Sequence, residues 1–381
     1  MIGDEKRFRK VKCMSERPFI FCISGVKNSG KTTLITRLLP VLNRRGLKVA
    51  TIKHDGHDFL ADVPGTDTYA HLQAGAYGTA VFSGQKFMVV KKEPVDETRL
   101  WECFPEADII LMEGFKNSPY PKMELVRKGN SAESVCSKEN LTAVLTDLPQ
   151  ENIPENLTET CGNIPILPLN DIEAIADEIL LCRYIRTQLT MVILAGGLSS
   201  RMGTDKADLR YQGRTFLEHQ IEKGREMGIH EILVSGYRGG HCTGQVVPDR
   251  LIEKGPLGGM EACLRQAKHE KCLVLSVDCP LISVQELKNL IKEGQKTKFH
   301  AAILQHGEKQ EPLIGVYSSS LAENMEEEIQ KGRGSVFAML RKIGYSTYKS
   351  PGEEWQFQNI NDISVYQKLL QEPEIGTLQP D

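Results

Sequence analysis

The sequence predicts an α/β chain of two domains, each built on a parallel sheet. Three observations carry this. A strand, a glycine-rich loop and a helix follow one another near residue 20 and again near residue 190. Runs such as 107–114 (ADIILMEG) and 271–278 (KCLVLSVD) are almost continuously apolar, as strands covered on both faces must be. A length of 381 residues also exceeds what one ordinary core holds.

The elements alternate along the chain as an α/β fold requires. The first strand, 19–24, runs into GVKNSGKT and then into the helical stretch TLITRLLPVLNRR, which stops at Gly46 before the strand LKVATIK. The strand ADIILMEG follows. Between Asn130 and Asn170 the chain is richer in Pro, Asn, Ser and Glu, yet it still holds the short strands LTAVLTD and IPILPLN. A helix over 171–188, capped by Asn170 or Asp171, closes the first domain. The strand LTMVILAGG follows at once, so the linker is short and the domains are expected at 18–186 and 190–371. In the second domain the helix TFLEHQIEKGREMG leads to the strand EILVSG, and GGMEACLRQAKHE leads to KCLVLSVD. The helix VQELKNLIKEG, strands in HAAILQ and PLIGVY, two more helices and the strand or loop WQFQNIND complete it. The two glycine loops follow different patterns, so no internal repeat is expected.

Composition narrows the function classes. A net charge of -3 gives no reason to expect a nucleic-acid backbone as partner. The basic start passes through FIFCIS straight into a glycine loop rather than a small-residue cleavage site, which reads as a buried strand and not a signal peptide. No run of about 18 uninterrupted apolar residues occurs, so nothing is expected to span a membrane, and the location expected is the cytoplasm. The ten cysteines are scattered with no CxxC, which points to small core residues rather than disulfides, zinc or iron–sulfur ligands.

The first loop, 25–32, fits G-x-x-x-x-G-K-[ST] and predicts a P-loop NTPase-like domain. Its glycines let backbone N–H groups turn inward, so Gly25, Asn28, Ser29, Gly30, Lys31, Thr32 and Thr33 would surround a phosphate at a helix N-terminus. Lys31 would neutralise the β- and γ-phosphates, and Thr32 would place its hydroxyl on Mg²⁺. Glu113, closing its strand, is the candidate acidic partner of that metal; the plain alternative is a solvated strand-end charge. Lys53, His54, Asp55, Gly56, His57 and Asp58, with Asp62 and Asp67 downstream, could line the phosphate site or bind metal, or simply hydrogen-bond within their loop.

GVKNSGKTTL, TIKHDGHDFLADVPGTDTYAHLQAGA and DIILMEGFKNSPYPKMELVR together resemble the molybdopterin-guanine dinucleotide biosynthesis adapter family, over roughly residues 18–183. The resemblance implies a domain that binds GTP, hydrolyses it weakly and assists a partner guanylyltransferase. No Asn-Lys-x-Asp run, the usual guanine reader of many GTPases, is present.

The second loop, 194–207 (LAGGLSSRMGTDKA), also follows a buried strand directly. Gly196 and Gly197 would let the backbone reach a nucleotide, while Arg201 and Lys206 supply cations. That suits attack on an α-phosphate with pyrophosphate leaving, because charge then builds on both groups. The spacing is not that of a dehydrogenase G-x-G-x-x-G loop. Asp278, at the carboxyl end of a buried strand, is the expected Mg²⁺ ligand, with Mn²⁺ as a substitute. Asp249 would accept from a base edge or ribose, or cap its turn.

These motifs, with PDRLIEKGPLGGM, VLSVDCP and FQNIND, resemble the molybdenum cofactor guanylyltransferase family over about residues 190–370. The fold implied is a nucleotide-diphospho-sugar-transferase-like, Rossmann-like sheet. The resemblance implies that Leu194, Ala195 and Gly196 contact the nucleotide, Lys206 the phosphates, Asp249 the guanine nucleotide and Asp278 the metal, with Asn359 and Asn361 near the pterin. Related cytidylyltransferases carry Ala-Ala-Gly where this chain has Ala195-Gly196-Gly197, which favours a purine and hence GTP as substrate. The expected activity is GMP transfer from GTP to molybdopterin or molybdenum-molybdopterin, with the first domain as GTP-binding adapter. Molybdoenzymes or their chaperones would receive the product, and the sequence leaves a homo-oligomer open. The alternatives are a cytidylyl or sugar-phosphate nucleotidyltransferase on the same fold, and a non-catalytic nucleotide-binding switch.

Overall fold

The computed structural model describes residues 18–55, 59–131, 133–162, 164–196, 205–250 and 255–371. The chain divides into two compact units, Met1–Ile179 and Leu180–Asp381. The dividing line falls inside one helix, Ile172–Gln188.

In the first unit β1 (Phe19–Gly25) is followed by α1 (Lys31–Arg44), β2 (Val49–Lys53), β3 (Ile109–Glu113), β4 (Lys122–Val126), β5 (Leu141–Thr146) and β6 (Ile166–Pro168). The sheet order is β2–β3–β1–β4–β5–β6, and every pair is parallel. Phe21, Cys22 and Ile23 are fully buried, so β1 is covered on both faces. In α1 the buried positions Leu34, Ile35, Leu38, Val41 and Leu42 form one helical stripe, and Pro40 lies on the exposed side. The helix stops at Gly46, whose φ of 82° suits a residue without Cβ.

Two elements of this unit carry little strand signal in sequence. In β4 the alternation KMELV looks half-exposed, yet all five residues are buried. Glu124 accepts from Ser134 Oγ and from the backbone N–H groups of Val135 and Cys136, while Lys122 Nζ donates to the carbonyls of Lys116 and Ser118. The two charges are buried because loops supply their partners, something residue type alone does not announce. The second element is a two-stranded antiparallel ribbon, Gly78–Phe82 with Phe87–Lys91.

The helix α2 (Ile172–Gln188) is capped by Asp171, whose Oδ1 accepts from Ala174 N at 3.0 Å. The second unit contains β7 (Leu189–Leu194), α3 (Phe216–Met227), β8 (Glu231–Ser235), β9 (Gln245–Val247), α4 (Gly255–Gln266), β10 (Lys271–Ser276), α5 (Val284–Lys296), β11 (Ala301–His306), β12 (Lys309–Ser318), α6 (Leu321–Gln330), α7 (Val336–Ile343), β13 (Ser346–Lys349) and α8 (Ile363–Gln371). Its sheet runs β9–β8–β7–β10–β12–β11–β13. All pairs are parallel except those of β12, which is antiparallel to both neighbours because a two-residue turn, Gly307-Glu308, returns it beside β11. On β7, Met191 and Ile193 join one hydrophobic cluster and Val192 and Leu194 join another, as a strand with both faces covered requires. Thr215 and Glu218 form a reciprocal capping box at the start of α3. Among the described residues no helix is long and apolar enough to cross a membrane.

Candidate functional sites

The first site lies where β1 passes into α1. Gly25 has a φ of 134°, and a Cβ there would sit 2.8 Å from the carbonyl oxygen of Leu125, so only glycine fits. Asn28 and Gly30 also take positive φ, 63° and 94°, which turns the loop back on itself. Gly30 caps α1 without any side-chain hydrogen bond, leaving the first-turn N–H groups of Lys31, Thr32 and Thr33 to an anion. Lys31 Nζ folds over the loop and donates to the carbonyls of Gly25 (3.1 Å) and Val26 (2.6 Å) and to Ser29 Oγ (3.4 Å). Burial pushes its pKa down, and Glu113 pulls it back up in part. Thr32 Oγ1 donates to Glu113 Oε1 at 2.8 Å, and Lys53 Nζ lies 3.9 Å from the same oxygen. The hydroxyl and carboxylate named from sequence therefore meet across 81 positions of chain.

The His/Asp segment after β2 is only partly described, since Gly56, His57 and Asp58 lie outside the described residues. The His54 ring meets Phe115 edge-on at 5.7 Å, and Asp62 Oδ1 accepts from Val63 N and Thr66 Oγ1. Asp67 begins a short helix, Asp67–Gln73. Among the described residues no group of three or more His, Cys, Asp or Glu side chains could hold a metal alone.

The second site lies at the carboxyl ends of β7 and β10. The order β9–β8–β7–β10 reverses direction between these two strands, which is where open α/β sheets bind ligands. The backbones of Gly196 and Gly236 approach so closely that a Cβ on Gly236 would lie 3.0 Å from Gly196 Cα. Asp249 stands beside them, 3.3 Å from the same Cβ position, and accepts from Ser235 Oγ at 3.2 Å. A Cβ on Gly259 would sit 2.0 Å from Ser235 Oγ, so this glycine lets α4 pack against β8. Arg250 is tied to the fully buried Glu261 at 3.0 Å, which Arg265 also holds at 2.6 Å.

Asp278 Oδ1 accepts from Ser276 Oγ at 2.6 Å, and its Oδ2 lies 3.4 Å from Lys206 Nζ. Lys206 donates in turn to Asn361 Oδ1 at 2.5 Å. Cys279 Sγ donates to Asn359 Oδ1 at 2.7 Å, and Ile360 N donates to Asp278 O at 2.8 Å. The segment 357–362 is thus bound to the Asp278 turn by two bonds, and to Lys206 by a third. Lys206 and Asp278 are both mostly buried but open to solvent, with side chains 22% and 17% exposed. Arg201 and Gly197 lie outside the described residues.

Beside this cluster is a cavity of about 550 Å³ that sequence reasoning did not foresee. Asn359 and Asn361 line it together with His306, Lys309, Trp355 and Phe357. The His306 ring stacks on Phe357 at 5.0 Å and 21°. Glu354, Gln358 and Asp362 complete the lining, and Phe357 is fully buried beneath the His306 ring. His306 and Lys309 flank a hairpin whose sequence carries no loop motif, so nothing in the chain marks them.

A hard cation at Asp278 would find one carboxylate and would need phosphate oxygens and water for its other ligands, a common pattern for Mg²⁺. The Thr32–Glu113 pair offers the corresponding oxygens in the first unit. Both donor sets fit the ion.

Residues 20–147 match the family model described as molybdopterin guanine dinucleotide synthesis protein B, and residues 191–344 match that of the MobA-like NTP transferase domain. The molybdopterin-guanine dinucleotide biosynthesis adapter protein of Escherichia coli (strain K12) is 35% identical over 167 residues, covering 42% of this chain and 89% of the relative. The probable molybdenum cofactor guanylyltransferase of Aquifex aeolicus (strain VF5) is 30% identical over 184 residues, covering 48% of this chain and 90% of that relative. Among solved structures, Bacillus subtilis MobB is 32% identical with a TM-score of 0.35, covering 42% of this chain and 95% of that one.

Proposed function

We propose a guanylyl transfer for this chain, which belongs to the molybdopterin guanine dinucleotide synthesis protein B family in its first half and to the molybdenum cofactor guanylyltransferase family in its second. The second half, 190–371, transfers GMP from GTP to molybdopterin or molybdenum-molybdopterin and releases pyrophosphate. The first half, 18–186, binds GTP as an adapter. The observation that carries this is the Lys206–Asp278–Asn361 cluster, set beside the end of β7 and the cavity that Asn361 lines.

In this account Leu194, Ala195 and Gly196 lie along the nucleotide, Gly197 and Arg201, outside the described residues, belong to the same motif, and Asp249 accepts from the guanosine. The pterin occupies the cavity by Asn359 and Asn361. Its phosphate monoester is already anionic near neutral pH, so no strong base is needed, and the site works by positioning and charge. Lys206 neutralises the α-phosphate as pyrophosphate leaves, and Asn361 keeps its ammonium aimed. Asp278 is the Mg²⁺ ligand, and the ion, when bound, supplies neutralisation of phosphate charge. In the first half, residues 25–33 hold the GTP phosphates, with Thr32 and Glu113 at the metal side. The product goes to molybdoenzymes or their chaperones in the cytoplasm.

Lys31→Ala separates the two halves. It is expected to weaken GTP binding at the first site by about 2 kcal/mol, roughly 30-fold, while leaving most pyrophosphate release intact. Titration of GTP into Asp278→Asn and Lys31→Ala variants measures this. Equal loss of turnover from Lys31→Ala and Asp278→Asn would sink the division of labour.

The ribbon of the first half supports self-association. Phe82, Phe87 and Val89 share one face and are 84%, 77% and 53% exposed. Apolar surface of this kind on an exposed ribbon face favours burial against a second copy. Phe82→Glu with Phe87→Glu is expected to halve the mass seen by light scattering; an unchanged mass would refute pairing through this face.

A further inference from the structure

The turn 276–280 carries Asp278 but has little backbone support of its own. Val277 N donates to Leu194 O at 3.1 Å, and Cys279 N reaches Ser276 O only at 3.5 Å. The carbonyl groups of the turn are held instead by two side chains of α3. Gln220 is fully buried, and its Nε2 donates to Ser276 O at 3.1 Å and to Cys279 O at 2.8 Å. Lys223, one helical turn on, donates from Nζ to Pro280 O at 2.6 Å and to Gln220 Oε1 at 3.2 Å. From the other side Ile360 N takes Asp278 O.

We propose that Gln220 and Lys223 are positioning residues for the transfer, a clamp that fixes the Asp278 carboxylate relative to Lys206 and the 194–196 loop. Residues spaced by three lie on one helix face, so a single helix presents both donors to the same turn. A glutamine amide brings two donors and one acceptor, and all three are used here. An apolar side chain at 220 would remove the donor to Cys279 O and leave Ser276 O with only the long contact from Cys279 N, and the turn would shift to find water. Burial pushes the Lys223 pKa down to about 7. A shift of about 1 Å in a group facing the reacting phosphate is enough to cost roughly 100-fold in rate.

This inference rests on the transfer proposed above only where turnover is read, so the test includes a measurement that needs none. Full-length Gln220→Met and Lys223→Met are compared with the unaltered chain by amide hydrogen exchange, Mn²⁺ affinity in the presence of GTP, and steady-state kinetics. Exchange of the 277–282 segment is expected to rise at least about tenfold while β10 and β7 stay protected. Mn²⁺ affinity is expected to fall, and kcat to drop roughly 10- to 100-fold with the KM for GTP changed less than about threefold. Unchanged exchange and kcat in both variants would overturn the clamp. So would a loss of kcat that merely follows a uniform rise in exchange across the second unit. If Gln220→Met does not fold, Lys223→Met, which removes bonds at a part-buried site, decides by the same readings. If the unaltered chain releases no pyrophosphate, the transfer reading fails, and exchange with Mn²⁺ binding alone decides the clamp.

Discussion

Asp278→Asn is expected to lower pyrophosphate release about 1,000-fold while leaving the melting temperature nearly unchanged. The substitution keeps shape and the bond from Ser276 Oγ, since an amide oxygen accepts as a carboxylate does. It removes the negative charge that faces Lys206 at 3.4 Å and would hold the divalent cation. Interactions realised mainly in the transition state act on kcat, and removing one preorganised electrostatic group typically costs about 100- to 1,000-fold. The loss should therefore appear in kcat under saturating GTP, measured by a coupled pyrophosphate assay. A fall confined to KM would assign Asp278 to ground-state binding only.

Lys206→Ala is expected to lower kcat on the order of 100- to 1,000-fold. Lys206 meets both Asp278 and Asn361, so its loss removes the cation and one of the bonds that hold the segment bordering the cavity. Lys206→Arg separates these contributions. The guanidinium restores charge but not the compact donor geometry, so only partial recovery is expected. Full recovery would mean that charge alone matters, and no recovery that the short bond to Asn361 is essential. In both variants GTP binding by the first unit, read by titration, should stay as in the unaltered chain.

The fold and both sites were unequally legible in the sequence. Apolar runs such as FIFCIS, ADIILMEG and LTMVILAGG read directly as strands, because strands covered on both faces leave no room for polar alternation. The glycine loops read equally well, since Gly25 sits where a backbone approach excludes a Cβ and Gly196 where a Cβ would crowd Gly236 at 3.3 Å. β4 was hidden by buried Lys122 and Glu124, whose partners come from the loops on either side of the strand, four to twelve positions away. The reversal at β12 was hidden because a two-residue turn fixes strand direction, and Gly307-Glu308 carries no strong turn signature. The meeting of Lys206 with Asp278 and Asn361 across 72 and 155 positions follows from sheet order, which no local pattern contains. The same holds for Gln220: on an amphipathic helix it reads as a surface residue, and only the turn above it explains its burial.

The most direct test of the central claim is pyrophosphate release by the purified full chain with Mg²⁺, molybdopterin or molybdenum-molybdopterin, and either GTP or CTP. Release that requires the pterin acceptor, occurs with GTP and is lost in Asp278→Asn is the result expected. Release with CTP in place of GTP would contradict the assignment of the base, and no release with either nucleotide would contradict the transfer itself.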